Sequence, residues 1–181
     1  MATKPQLLNR CSVEKTTLKS YHSAVIYHSG SEKETQKIAS ELASKVIKSL
    51  QRRAGKKALI ISLEGELGAG KTTFIRGFLK SLGVKDKVKS PTFVLMRHYR
   101  VKLRHVAGKT LKSDKEVYHL DCYRVRDHRD LSTLDLKSLF KSPSSIVLIE
   151  WPERVSKILP RKLTKIHIDH VDKNKRKITI E

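Results

Sequence analysis

Residues 65–72 read Gly65-Glu66-Leu67-Gly68-Ala69-Gly70-Lys71-Thr72, a complete G-x-x-x-x-G-K-[ST] phosphate loop. An apolar run at 58–63 precedes it, and an amphipathic stretch opens at Thr72. This is the strand–loop–helix setting in which the motif acts. The glycines let the backbone curl so that its N–H groups converge on phosphate oxygens. The helix start adds the positive end of its dipole. Lys71 can reach the β- and γ-phosphates, and the Thr72 hydroxyl can ligate a magnesium ion. Gly65, Glu66, Leu67, Gly68, Ala69, Gly70, Lys71, Thr72 and Thr73 are therefore the candidate binding residues of a nucleoside triphosphate site.

Working outward, the helix after the loop carries Phe74, Ile75, Phe78, Leu79 and Leu82 on one face, and Gly77 within it implies a close neighbour. Upstream, 24–27 is β-prone. Ser31 and Glu34 form a capping box, and Ile38, Leu42, Val46 and Leu50 recur at helical spacing, so 32–51 reads as a helix. Downstream, the loop 90–93 leads into a strand over 93–103, and the basic stretch 104–115 reads as a hairpin tip. Residues 116–121 form the return strand, 131–140 a short helix and 145–149 a fully apolar strand. Residues 163–170 and 176–180 alternate apolar and polar about a turn at 172–174, as an antiparallel edge hairpin would. Residues 1–20 show no period and read as a disordered basic tail; 21–181 read as one domain. The predicted fold class is α/β of the P-loop NTPase type. A mainly parallel central sheet is flanked by helices and closed by antiparallel edge hairpins.

The chain of 181 residues suffices for one core. No apolar run is long enough to span a bilayer, and the N-terminus lacks a secretion signal's apolar centre. Cys11 and Cys122 fit no metal or disulfide spacing, which suits a reducing, cytoplasmic setting. The formal charge is +21 and the isoelectric point about 10.1. Two readings stand side by side: contact with a polyanion such as tRNA, or a compositional lysine bias.

A phosphate loop needs a carboxylate for magnesium, usually at the end of a neighbouring buried strand. Glu150 ends the apolar strand 145–149, and Asp121 ends 117–120. Parallel strands bring their C-terminal ends to the edge where ligands bind, so either acid suits the role, and either could simply end a strand. Thr92, in a loop stiffened by Pro91, can offer its hydroxyl to metal, phosphate or water. Arg124 can pair with an acid or reach a phosphate. Trp151 could line the pocket or anchor the core. A GTPase base reader, Asn-Lys-x-Asp, is missing, because Asn174-Lys175-Arg176-Lys177 lacks the acid. A small-molecule kinase would need an arginine-bearing lid, for which Arg97, Arg100 and Arg104 are the available set.

The phosphate loop continues into Thr73-Phe74. With Lys89-Ser90-Pro91-Thr92-Phe93, Tyr118-His119-Leu120-Asp121-Cys122-Tyr123-Arg124 and Leu148-Ile149-Glu150-Trp151-Pro152-Glu153-Arg154, it resembles the TsaE family in order and spacing. The resemblance runs over residues 22–181. It implies an ATPase, using ATP and magnesium, that supports threonylcarbamoyladenosine formation in tRNA beside the anticodon. It also implies association with a TsaD–TsaB complex, for whose repeated cycles ATP hydrolysis is needed. By the same resemblance Lys71 and Thr72 bind phosphate and magnesium, and Glu150 belongs to the magnesium shell. Asp121 is required for hydrolysis, Thr92 lies in a switch-like loop and Trp151 sits near the nucleotide. The chain departs from the family pattern in its longer tail, its extended 104–115 loop, Asp135 where glycine is usual, and its charge. Two other classes stay in view: a P-loop small-molecule kinase and an ATP-gated RNA-binding switch.

Overall fold

The computed structural model describes residues 13–16, 24–52, 57–86, 88–102 and 114–181. Strand β1 spans Val13–Thr16, β2 Ala24–Ser29 and helix α1 Glu32–Arg52. Strand β3, Leu59–Glu64, feeds the phosphate loop, and α2, Lys71–Ser81, leaves it. Strands β4, Met96–Val101, and β5, Lys115–Asp121, precede α3, Leu136–Lys141. Strands β6, Ser145–Glu150, β7, Thr164–His170, and β8, Arg176–Ile180, complete the domain. The described residues form an eight-stranded sheet in the order β1-β2-β8-β7-β3-β6-β5-β4. Its centre, β7-β3-β6-β5, is parallel, and both flanks are antiparallel.

Side-chain alternation on β6 explains the layering. Ile146 and Leu148 join the core beneath α1 and α2, while Val147 and Ile149 join a second core on the opposite face. All six residues of β6 are buried, as befits a central parallel strand covered on both sides. The two helices touch closely at Gly77, where an added Cβ would stand 2.5 Å from the backbone of Gln36. The Ser31 hydroxyl accepts from the Glu34 N–H at 3.2 Å. The reciprocal bond runs from the Gly30 N–H to the Glu34 carboxylate, one residue earlier than in a standard capping box.

Four expectations are corrected. Within the expected tail, Val13–Thr16 forms an edge strand on β2; residues 1–12 and 17–23 lie outside those described. The segment 131–140 is not one helix. A 3-10 helix, His128–Leu134, is followed by α3, with a break at Asp135, φ +27°. Aspartate tolerates such a backbone, and its carboxylate caps α3 by accepting from the Ser138 N–H at 3.4 Å. The strand expected from residue 93 starts at Met96, because Leu95 turns through φ +61°. The β7–β8 hairpin is interior: β3 pairs with β7 and β2 covers β8. Most of the basic stretch 104–115 lies outside the described residues.

Candidate functional site: a phosphate-loop cleft at the sheet edge

Strand parity aims the chemistry. On β5, Val117 belongs to the core under α2, so His119 and Asp121 face the same way; on β6, Ile146 and Leu148 carry Glu150 to that face. The parallel register sets Asp121 opposite Glu150, and Glu150 opposite Leu63 at the end of β3. Both carboxylates therefore line one cleft with the first turn of α2, at the C-terminal edge of the sheet, as expected for ligand sites in open α/β sheets. The cleft they line has a volume of about 330 Å³. Leu67, Gly68, Gly70, Lys71, Thr72, Thr73, Thr92, Asp121, Glu150 and Trp151 all border it.

The remaining predicted loop residues, Gly65, Glu66 and Ala69, are not among those that line the cleft. Gly65 lies so close to β7 that a Cβ there would stand 2.3 Å from the Ile168 carbonyl oxygen, and its φ is +137°. Ala69 is fully buried. The carbonyls of Gly65 and Glu66 accept from the Lys71 ammonium at 2.7 and 2.9 Å. The same ammonium stands 3.8 Å from the Trp151 ring centre. Burial pulls the Lys71 pKa below its ordinary value, opposed by the charges of Glu150, Glu153 and Asp121.

Trp151 reaches this position through a left-handed backbone, φ +60°, that turns the chain sharply after β6. Such backbone outliers concentrate at functional sites. The indole is a cleft wall and only partly buried, and it packs on Tyr123 with ring centres 5.0 Å apart. The same indole also packs against the second core, so it borders the cleft and anchors the core at once.

Thr72 and Glu150 are joined directly: the hydroxyl lies 3.0 Å from each carboxylate oxygen. His119, fully buried, donates from Nε2 to Glu150 Oε1 at 2.9 Å. Asp121 is held by other donors. The hydroxyls of Ser90 and Thr92 both bond its Oδ2, and the Tyr123 N–H donates to Oδ1 at 3.0 Å. Two carboxylates side by side thus have separate partners, Thr72 and His119 for one, the 90–92 loop for the other. The hard oxygens of Thr72 and Glu150 fit a magnesium ion, which takes few protein ligands and completes its shell from phosphates and water. No cluster of three or more His, Cys, Asp or Glu side chains suited to a metal occurs among the described residues. An ion that takes most of its shell from nucleotide needs none.

Three of the sequence candidates, Arg124, Arg97 and Arg100, stay out of the cleft. Arg124 is exposed and stacks 4.2 Å from the Phe93 ring centre. Arg97 and Arg100 lie on the edge strand β4 rather than on a lid, with Arg100 held by Glu116 at 3.0 Å; Arg104 lies outside the described residues. The sequence reading missed Ser90, His119 and Arg176. The Arg176 guanidinium donates to the Ala69 carbonyl at 2.9 Å and fastens the β7–β8 turn to the phosphate loop. Parity from Asp121 would have aimed His119 at the site; nothing local marks Arg176.

The loop, its lysine and the two strand-end acids define a P-loop nucleotide-binding protein. A family model described as "Threonylcarbamoyl adenosine biosynthesis protein TsaE" matches residues 29–178. Relatives named tRNA threonylcarbamoyladenosine biosynthesis protein TsaE include one from Haemophilus influenzae, 40% identical over 64% of this chain and 66% of its own length. Another, from Bacillus subtilis, is 32% identical over 75% and 77%. A third, from Rickettsia conorii, is 31% identical over 83% and 74%. The crystal structure of Bacillus subtilis YdiB superposes with a TM-score of 0.63 at 27% identity, covering 87% of this chain and 84% of that one. The chain belongs to the TsaE family of tRNA threonylcarbamoyladenosine biosynthesis. No described helix is long and apolar enough to cross a membrane.

Proposed function

We propose that this protein is a magnesium-dependent ATP hydrolase of the cytoplasm, whose turnover supports repeated cycles of a TsaD–TsaB complex in tRNA modification. One observation carries the reading. The Thr72 hydroxyl, the Glu150 carboxylate and the Asp121 carboxylate converge on the phosphate-loop cleft from three separate segments of chain. Family membership supports the tRNA pathway, and the four-motif resemblance supports the partner.

In this reading Thr72 and Glu150 would hold the magnesium ion, which when bound would neutralise charge on phosphate oxygens. The loop N–H groups and the Lys71 ammonium bind the triphosphate. Lys71 exchanges its bonds to the Gly65 and Glu66 carbonyls for phosphate oxygens, so little reorganisation is needed as charge shifts during transfer. Asp121 orients the attacking water, and Thr92 and Ser90, bonded to that carboxylate, couple the 90–93 loop to its position. Trp151 walls the cleft and limits water around the lysine. Positioning and electrostatics provide the catalysis, as phosphoryl transfer requires.

The test is phosphate release from ATP, with and without magnesium and with and without TsaD–TsaB. Slow release alone and faster release in the complex is the expected result. Transfer of phosphate to a small acceptor would make the chain a kinase. Tight ATP binding with no release, even in the complex, would make it a binding switch.

A further inference from the structure

The one buried histidine of the sheet centre has no part in the mechanism above. His119 is fully buried, and its Nε2 lies 2.9 Å from Glu150 Oε1. Its Nδ1, equally buried, has no hydrogen-bond partner among the described residues. A carboxylate only accepts, so Nε2 must carry the hydrogen; in the neutral ring Nδ1 is then a bare lone pair rather than an unsatisfied N–H. The sheet has thus kept a costly polar group in its core for one contact. Its target is the carboxylate that also takes the Thr72 hydroxyl. Oε1 receives both His119 and Thr72, whereas Oε2 receives Thr72 alone. A metal-ligating carboxylate is ordinarily oriented by such an outer partner.

We infer that His119 is a positioning residue for magnesium binding. Its Nε2–H holds Glu150 Oε1, fixing the carboxylate so that Oε2 is presented to the ion beside the Thr72 hydroxyl. The inference rests on the reading of Glu150 as a magnesium ligand. His119 itself does not line the cleft. The two strands supply the rigidity: β5 and β6 run in parallel register, and His119 lies two residues before Asp121 on the same face. One strand therefore carries both the group that orients the metal's carboxylate and the acid assigned to the water.

The experiment measures binding of a non-hydrolysable ATP analogue by calorimetry, first in EDTA and then across a magnesium chloride titration. It uses the full chain as wild type, His119→Leu, His119→Gln, His119→Asn and Glu150→Gln. Thermal melting checks folding. Glutamine keeps an N–H at the reach of Nε2; asparagine is too short, and leucine has no donor. In His119→Leu the magnesium concentration at half-effect should rise about 10–100-fold, the range found when outer-shell partners are removed. Metal-free affinity should not change, and His119→Gln should stay near wild type. If leucine prevents folding, His119→Asn carries the same comparison. A shift in Glu150→Gln with none in the leucine and asparagine variants overturns the role of His119 but leaves Glu150 as the ligand. No shift in Glu150→Gln overturns the metal assignment beneath it. A shift in His119→Gln equal to that in His119→Leu means that packing, not the hydrogen bond, is responsible, and the inference falls.

Discussion

Lys71 is a fixed positive charge of the cleft, bonded to two carbonyls of its own loop and covered by an indole. Lys71→Ala should abolish phosphate release and weaken ATP binding; normal turnover in that variant would remove the site assignment. The two acids should separate cleanly because their partners differ. Glu150→Gln should shift the magnesium dependence, whereas Asp121→Asn should bind ATP with magnesium and fail to hydrolyse it. The reverse pattern means that their roles are exchanged. Trp151 is the single tryptophan, so intrinsic fluorescence reports on the cleft directly. Saturating ATP or ADP should change it, and Lys71→Ala should blunt the change; a flat signal would detach the indole from the nucleotide. Cys122 makes a different point. Burial, reinforced by Asp121, Glu153 and Glu150, pushes its thiol up to about 12. In a Cys11→Ser background the folded protein should therefore resist thiol-specific labelling at pH 8, while the unfolded chain labels readily. Linkage gives the sign for stability. Above the ordinary thiol pKa the unfolded chain loses a proton that the fold retains, so stability falls as pH rises between about 9 and 12, at up to about 1.4 kcal/mol per unit.

Helices α1 and α2 meet at Gly77, and the contact predicts a loss. At Gly77 the backbone of α1 lies against α2, and a Cβ would stand 2.5 Å from Gln36 Cα and from its carbonyl oxygen. Backbone cannot rotate away as a side chain can, so Gly77→Ala must spread the helices. About 1–3 kcal/mol of destabilisation is expected, read by urea unfolding, as for other overpacked contacts. An unchanged midpoint would mean that the helices move apart freely. This close approach was legible from the sequence, since a glycine within an apolar helical face calls for a neighbour. The break at Asp135 was not. Nothing in the pattern 131–140 distinguishes one helix from two turns joined at a positive φ, because the apolar spacing suits both. Nor did the apolar pattern show that β4 begins at Met96, since Phe93 and Val94 are apolar yet lie exposed in the preceding turn.

At the scale of the molecule, the charge of +21 admits both a polyanion partner and a compositional lysine bias. If tRNA contacts this protein, binding must weaken steeply with salt and be largely indifferent to sequence, because phosphate contacts release counterions and carry little base information. A salt titration of tRNA binding checks this, repeated after Lys102, Arg104, Lys109, Lys112 and Lys115 are changed to glutamine. No affinity at low salt makes the charge compositional. Equal affinity in the glutamine variant moves the surface elsewhere.

What the sequence by itself determined is local: the phosphate loop, the strand before it, the helix after it, and the short list of acids that could serve it. These follow from contiguous residues, where glycine spacing and apolar period act directly on the backbone. Tertiary structure alone decided which acid meets Thr72, that the other is held by the 90–92 loop, and that His119 stands behind Glu150. It also decided that the last hairpin lies inside the sheet, with Arg176 tied to the loop more than a hundred residues earlier. Alternation along a strand says which side chains share a face. It does not say which strand lies next to it or in what register, because that choice depends on burying both faces of the whole sheet at once.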